Sequence, residues 1–270
     1  MLAKLPDIEI RMIQVGRQML RVGIKPGVKD RPPLLLFNGI GANLELAGTF
    51  MRALPYVEAI IFDIPGIGGS PAPGFPYRPS TIARLAANLV AQLGYDKVDV
   101  AGISWGGGVA QQFAHQYPDA CRKLILMATA PGSIMVPAKL SILFKMVSPR
   151  RYMDQGYMQA IASELYGGAF RRNPSLIAAH ARGMTKASNL GYLYQLIAMA
   201  GWTSLPWLSF LKQHTLVLSG GDDPIVRPIN GRIMAKLIPN ARFQVIDDGH
   251  LFVVSQPDAV AEIVESFLRE

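Results

Sequence analysis

Short apolar runs that do not alternate with polar residues recur along this chain, and they limit its fold more than any other feature. "PLLLFN" (33–38), "AIIFDI" (59–64), "VDVAGI" (98–103), "KLILMA" (123–128), "TLVLSG" (215–220) and "FQVIDD" (243–248) all have the length of a strand. A strand with one face in water alternates, whereas a strand covered by helices on both faces does not. Helical patterns lie between the runs, at 81–94, 105–117, 229–237 and 257–269. This rhythm predicts an α/β fold with a mostly parallel sheet flanked by helices, and residues 8–24 read as an antiparallel hairpin at its start. A chain of 270 residues with 50% hydrophobic content can bury one large core and still carry an insertion.

The insertion is expected where the rhythm fails. Residues 131–208 show no strand pattern and hold six of the twelve Met and two of the three Trp. The expected division is a core of 1–130 and 209–270 with an inserted helical cap of 131–208 between two core strands. Ala187 to Leu211 is uncharged for 25 residues, which is long enough to cross a membrane. Asn189, Gln195 and Pro206 interrupt it, and it lies between two strands of one sheet, so an apolar cap helix is expected instead of a membrane span.

Charge and cysteine usage narrow the setting. The net charge is +8, and eight Lys or Arg against Asp154 and Glu164 put six of those charges in the cap. No zinc spacing, RNA-binding signature or aromatic-interleaved basic run accompanies them, so no nucleic-acid partner is expected. Arg150, Arg151, Arg171 and Arg172 read either as contacts for an anionic surface or as a solvated face. Cys121 is the only cysteine, so no internal disulfide can form, and a reducing compartment follows most simply. The first residues lack a basic flank followed by an apolar run, so a cytoplasmic location is expected.

The chemistry centres on "GISWG", Gly102 to Gly106. Ser104 ends a strand pattern and opens a helical one, the context in which a G-x-S-x-G turn lifts a nucleophile above the sheet. The competing reading is a helix N-cap, for which serine is also favoured. A serine hydroxyl needs a base. Of the four histidines, His115 lies along the helix that Ser104 opens, His180 lies in the cap, and His214 opens a strand at the end remote from ligands. His250, in "VIDDGHLF", follows the last strand at the carboxyl edge of the sheet, where ligands of such folds bind, and is the candidate base. "LSGGDDPIV" offers the acid that would orient it. Asp223 is favoured by its spacing from Gly220 and by the turn that Pro224 imposes, with Asp222 as the alternative. Asp247 and Asp248 share the loop of His250 and read as solvated carboxylates. The chain order Ser, Asp, His is that of the α/β-hydrolase fold.

Two glycine turns complete the pattern. "LFNGIGAN" ends an early strand where this fold usually carries a His-Gly oxyanion loop. Asn38 replaces the His, which places it among the residues expected to face substrate. The backbone N–H groups of Ile40 and Trp105 are the expected oxyanion donors, each worth about 3 kcal/mol in the transition state. "FDIPGIGGS" (62–70) matches a D-x-P-G-x-G-x-S turn after another strand. No metal-ligand cluster is visible and every Gly-rich element already has a role, so neither metal nor cofactor is expected.

Together with the fold and the triad order, "NGIGANLE", "GISWGG", "AQQFAH", "MVPAK", "SPRRY", "YGGAFRR" and "DDGHLF" give a chain that resembles the intracellular medium-chain-length polyhydroxyalkanoate depolymerases. The resemblance spans nearly the whole sequence, including the cap, and implies hydrolysis of a stored 3-hydroxyacid polyester at the surface of cytoplasmic granules. On that reading Trp202, Leu205 and Trp207 offer apolar surface to the polymer, unless they are simply buried within the cap. A carboxylesterase or lipase-like enzyme for small esters is the alternative. A non-enzymatic granule-binding or ligand-sensing relative would have little use for an intact Ser-His-Asp set. Serine rather than aspartate at residue 104 argues against dehalogenase and epoxide-hydrolase chemistry.

Overall fold

A computed structural model of the protein describes residues 8–148, 150, 154–183 and 188–270. Arg151 of the basic set and Ala187, the first residue of the uncharged run, lie outside them. The strands are β1 (Glu9–Val15), β2 (Gln18–Lys25), β3 (Leu34–Phe37), β4 (Ala59–Phe62), β5 (Val98–Ile103), β6 (Cys121–Met127), β7 (His214–Gly220) and β8 (Ala241–Ile246). They form one sheet in the order β1-β2-β4-β3-β5-β6-β7-β8. β1 and β2 are the antiparallel hairpin, β2 meets β4 antiparallel, and all pairs from β4 to β8 are parallel.

The apolar runs are unbroken because both faces of the sheet are covered. In β3, Leu35 and Phe37 enter one core while Leu34 and Leu36 enter the other, as the two-residue period of a strand requires. The first core is closed by helices α2 (Pro79–Gln92), α3 (Trp105–Gln116) and α9 (Pro228–Leu237). The second is closed by α1 (Gly48–Arg52), α10 (Phe252–Ser255) and α11 (Pro257–Arg269). α2, α9 and α11 all begin on proline, whose missing N–H is no loss in a first turn. β8 is the exception to the pattern: it is an edge strand with exposed positions, and it starts two residues before the run read from the sequence.

Between β6 and β7 the chain forms α4 (Leu140–Val147), α5 (Gln155–Tyr166), α6 (Gly168–Arg172), α7 (Pro174–Gly183), α8 (Asn189–Met199) and a 3₁₀ turn at Leu205–Phe210. α4 to α7 share a small apolar cluster in which Ile142, Met158, Leu165 and Phe170 meet Ile225 and Val226 of the loop after β7, whereas Tyr194 and Ala198 of α8 and Leu208 of the 3₁₀ turn pack into the first core. The uncharged run is broken between α8 and the 3₁₀ turn. Among the described residues no helix is long and apolar enough to cross a membrane.

Candidate active site

Ser104 sits between β5 and α3 with φ 53° and ψ −117°, a backbone conformation that an L-residue seldom adopts. The turn is tight enough to explain both flanking glycines. A Cβ on Gly106 would lie 2.2 Å from the Phe37 carbonyl oxygen, and one on Gly102 would lie 2.4 Å from that of Gly106. Thr129 donates its hydroxyl to the Ser104 carbonyl at 2.7 Å and holds the turn from β6's side. The hydroxyl of Ser104 is not used to cap α3.

Ser104 Oγ lies 3.0 Å from His250 Nε2, and His250 Nδ1 donates to Asp223 Oδ2 at 2.7 Å. The other oxygen of Asp223 accepts the N–H groups of Ile225 and Val226, both at 2.9 Å. Those bonds fix the carboxylate in its turn, and both Asp223 and His250 are buried. A carboxylate can only accept, so the neutral imidazole carries its proton on Nδ1 and turns the Nε2 lone pair to Ser104. The arrangement can take a proton from the serine and hold the resulting imidazolium.

Asp222 is elsewhere. It is exposed, pairs with Arg171 at 2.9 Å and accepts the Gly168 N–H at 2.8 Å, tying α6 to the β7 loop. Asp248 corrects an expectation. It is buried rather than solvated, and accepts from the Ser255 hydroxyl, the Ala169 and Gly249 N–H groups and Gln256 Nε2. Burial alone would raise its pKa, but these donors outweigh it and hold the carboxyl below its ordinary value. With the His250 N–H donating to the Tyr166 carbonyl at 2.8 Å, the Asp248 cluster pins the histidine loop to the helices above it.

The loop after β3 lies against the same serine. Asn38 Nδ2 donates to the Asn43 carbonyl and its Oδ1 accepts the Gly39 N–H, so this side chain shapes the loop as well as lining the cavity. Below it, Asp63 of the glycine turn after β4 accepts the N–H groups of Leu44 and Gly69 and pairs with Arg21. Burial keeps the Asp63 carboxyl above its ordinary value despite those donors. Ile40 borders Ser104, and Trp105, as the first residue of α3, has an N–H with no intrahelical acceptor.

Two cavities meet at Ser104. One, of about 70 Å³, reaches between the Asn38–Ala42 loop, His250, Tyr166 at the end of α5 and His180 of α7. The other, of about 240 Å³, runs along Thr129, Met135, Met199 and Trp202. Ile40, Met146 and Ile225 border both, and both walls are mostly apolar. Trp202 thus faces a cavity. Trp207 instead stacks on the exposed His115 with ring centroids 4.3 Å apart, and Leu205 packs against the first core. Arg150 stacks on Tyr157 and pairs with Asp154, Arg171 pairs with Asp222, and Arg172 is exposed. Among the described residues no three His, Cys, Asp or Glu side chains gather into a metal-binding group.

Nothing in the sequence singles out Met146 or Tyr166, while His180 is passed over as a base and Gln195 counts only as an interruption of the uncharged run. Gln195 did leave a trace, as a lone amide in the apolar string "YLYQLIAM".

Residues 32–257 match a protein-family model described as alpha/beta hydrolase fold. The chain is 49% identical to the poly(3-hydroxyalkanoate) depolymerase of Ectopseudomonas oleovorans, over 96% of this chain and 92% of that protein. It is 25% identical to 3-oxoadipate enol-lactonase 2 of Acinetobacter baylyi, over 90% and 91% of the two chains. The crystal structure of the enol-lactonase from Burkholderia xenovorans superposes with a TM-score of 0.82 at 22% identity, covering 96% of this chain and all of that one, which speaks for the fold. The chain therefore belongs to the α/β-hydrolase family, in the group typified by poly(3-hydroxyalkanoate) depolymerase, and is an ester hydrolase.

Proposed function

We propose that the protein cleaves the ester bonds of medium-chain poly(3-hydroxyalkanoate) held in cytoplasmic granules, with Ser104 as nucleophile, His250 as base and Asp223 as its orienting acid. The observation that carries this reading is the Ser104–His250–Asp223 chain of contacts, at 3.0 and 2.7 Å, where two apolar cavities meet. The polyester relative supplies the substrate class. Residues 131–208 act as the cap that covers the site.

As Ser104 Oγ attacks the ester carbonyl carbon, its proton passes to His250 Nε2 and the carbonyl π electrons move to oxygen. The N–H groups of Ile40 and Trp105 receive that charge. On collapse the carbon–oxygen bond to the alcohol breaks, and the His250 Nε2 proton goes to the departing oxygen. Water then repeats the two steps on the acyl-enzyme, regenerating Ser104 and releasing a carboxylic acid. The alcohol oxygen must leave beside His250, so the cavity lined by that residue takes the alcohol unit, and the cavity along Met199 and Trp202 takes the acyl unit. A polyester of apolar side chains presents an alkyl group on each side of the scissile bond and suits both. The methionines at 135, 146 and 199 can mould to chains of differing length.

The test is product analysis after incubation with amorphous medium-chain polyester and, separately, with short p-nitrophenyl esters. Soluble 3-hydroxyacids from the polymer are expected, lost in Ser104→Ala together with fluorophosphonate labelling. Cleavage of the short esters alone would return the protein to the carboxylesterase reading. Labelling of another serine would remove Ser104 from its role.

A further inference from the structure

Helix α8 carries one amide into the interior. Gln195 is fully buried, and its Oε1 accepts the Gly41 N–H at 2.7 Å. Its backbone carbonyl accepts the indole N–H of Trp105 at 2.9 Å. Its Nε2 has no hydrogen-bond partner among the described residues. One residue of α8 therefore touches both segments proposed to supply the oxyanion donors, the loop of Ile40 and the start of α3.

We propose that Gln195 is a positioning residue that sets the oxyanion hole from the cap. The inference rests on Ser104 being the nucleophile. Ile40 stands between two glycines, and Gly41 has φ +68°, so the loop has more backbone freedom than its neighbours. Anchoring the Gly41 N–H fixes the Ile40–Gly41 peptide, and through the Ile40 Cα it restricts the direction of the Ile40 N–H. Direction matters because an oxyanion donor works only within about 2.7–3.1 Å of the developing charge. A buried donor without a partner costs about 1–3 kcal/mol, which a methionine of similar length would not incur. The amide at residue 195 is thus a poor choice for packing alone, and its acceptor contact to Gly41 accounts for it.

The anchor is itself rigid. One turn earlier on α8, Gly191 lies against Gly66, where an added Cβ would fall 2.0 Å from the Gly66 carbonyl oxygen. Ser188, at the cap of α8, donates its hydroxyl to that same oxygen at 2.8 Å. Tyr194 meets Tyr77 edge to face at 6.1 Å. The glycine turn "FDIPGIGGS" therefore seats the helix that holds the oxyanion loop. It follows that the cap takes part in the chemistry even on a substrate too small to fill either cavity.

The experiment compares Gln195→Met and Gln195→Asn with wild type on p-nitrophenyl butyrate, with kcat normalised to Ser104 sites titrated by a fluorophosphonate. Met fills the space without an acceptor, and Asn keeps the amide but is too short to reach Gly41, so a folding failure of one leaves the other to read. Expected is a fall in kcat per titrated site of about 10- to 100-fold with KM within about twofold, the scale of a misplaced rather than deleted donor. The affinity of a boronic acid that forms a tetrahedral adduct should fall in parallel, and polyester turnover by the same factor. A merely structural role would lower the melting temperature or the titratable fraction and leave kcat per site unchanged, which would overturn the proposal. Ser104→Ala is run alongside. If it keeps activity, the nucleophile assignment fails. If it is inactive while both Gln195 variants match wild type, only this inference fails.

Discussion

Replacing Asp223 by Asn changes one atom's hydrogen-bonding sense, and the surroundings of that atom set the outcome. Oδ1 accepts two backbone N–H groups, from Ile225 and Val226, while Oδ2 faces His250 Nδ1. An asparagine has one oxygen and one NH₂ for these two places. Turning the NH₂ toward Ile225 and Val226 would set it against two buried donors and leave both unsatisfied, at about 1–3 kcal/mol each. The oxygen therefore stays with the backbone and the NH₂ faces Nδ1. The imidazole must then accept at Nδ1 and carry its proton on Nε2, where it cannot take the proton of Ser104. A wrong tautomer of this kind lowers kcat by about 10⁴ in triad enzymes, or about 5 kcal/mol in the barrier. KM and the melting temperature should change little, since the side-chain volume and the backbone contacts are kept. Asp222→Asn is the matched control: it removes an exposed ion pair with Arg171, and a loss of no more than a few-fold is expected. Steady-state kinetics on a p-nitrophenyl ester separate the two. A loss under tenfold in Asp223→Asn, or a larger loss in Asp222→Asn, would refute the reasoning.

Gly106→Ala would press a methyl group to 2.2 Å from the Phe37 carbonyl oxygen, so about 1–3 kcal/mol of stability and most of the Ser104 labelling rate should be lost, read by urea unfolding and a fluorophosphonate time course. The folded pKa of Asp248 is depressed, so its contribution is full above the ordinary carboxylate value and disappears as pH falls through the lowered one. Asp248→Asn should accordingly lower the urea midpoint at pH 7, with the gap to wild type closing toward pH 3; a gap independent of pH would count against this. Trp202→Ala should raise KM for long acyl esters, because Trp202 borders the larger cavity. Trp207→Ala should instead lower stability by about 1–2 kcal/mol through the lost stack on His115, with KM unchanged, and the reverse pattern would contradict the placement of the two rings.

What the sequence alone determined is what local chemistry governs. Strands buried on both faces show as apolar runs, proline and glycine mark where helices start and turns tighten, and a serine between glycines after a strand marks a sharp strand-to-helix turn. Ser104, Asp223 and His250 stood out because each follows a strand at the carboxyl edge of the sheet, and a parallel sheet brings those ends together whatever lies between them. Tertiary structure alone decided which way the helices between β6 and β7 face. The patterns of "SILFKMV" and "NLGYLYQLIAM" admit many packings, and only the docking of Gly191 on Gly66 turns Gln195 toward Gly41 and the elbow. The same holds for Asp248, one of two adjacent aspartates in a polar loop, which became a buried clamp because donors 79 residues earlier in the chain and on the following helix converge on it. Trp202 and Trp207 differ likewise, one at a cavity and one on the outside of α3. The physical reason is common to all three. A local preference depends on neighbours in sequence, whereas burial of a polar group or the direction of a ring is settled by partners far along the chain, which are known only once the chain has folded.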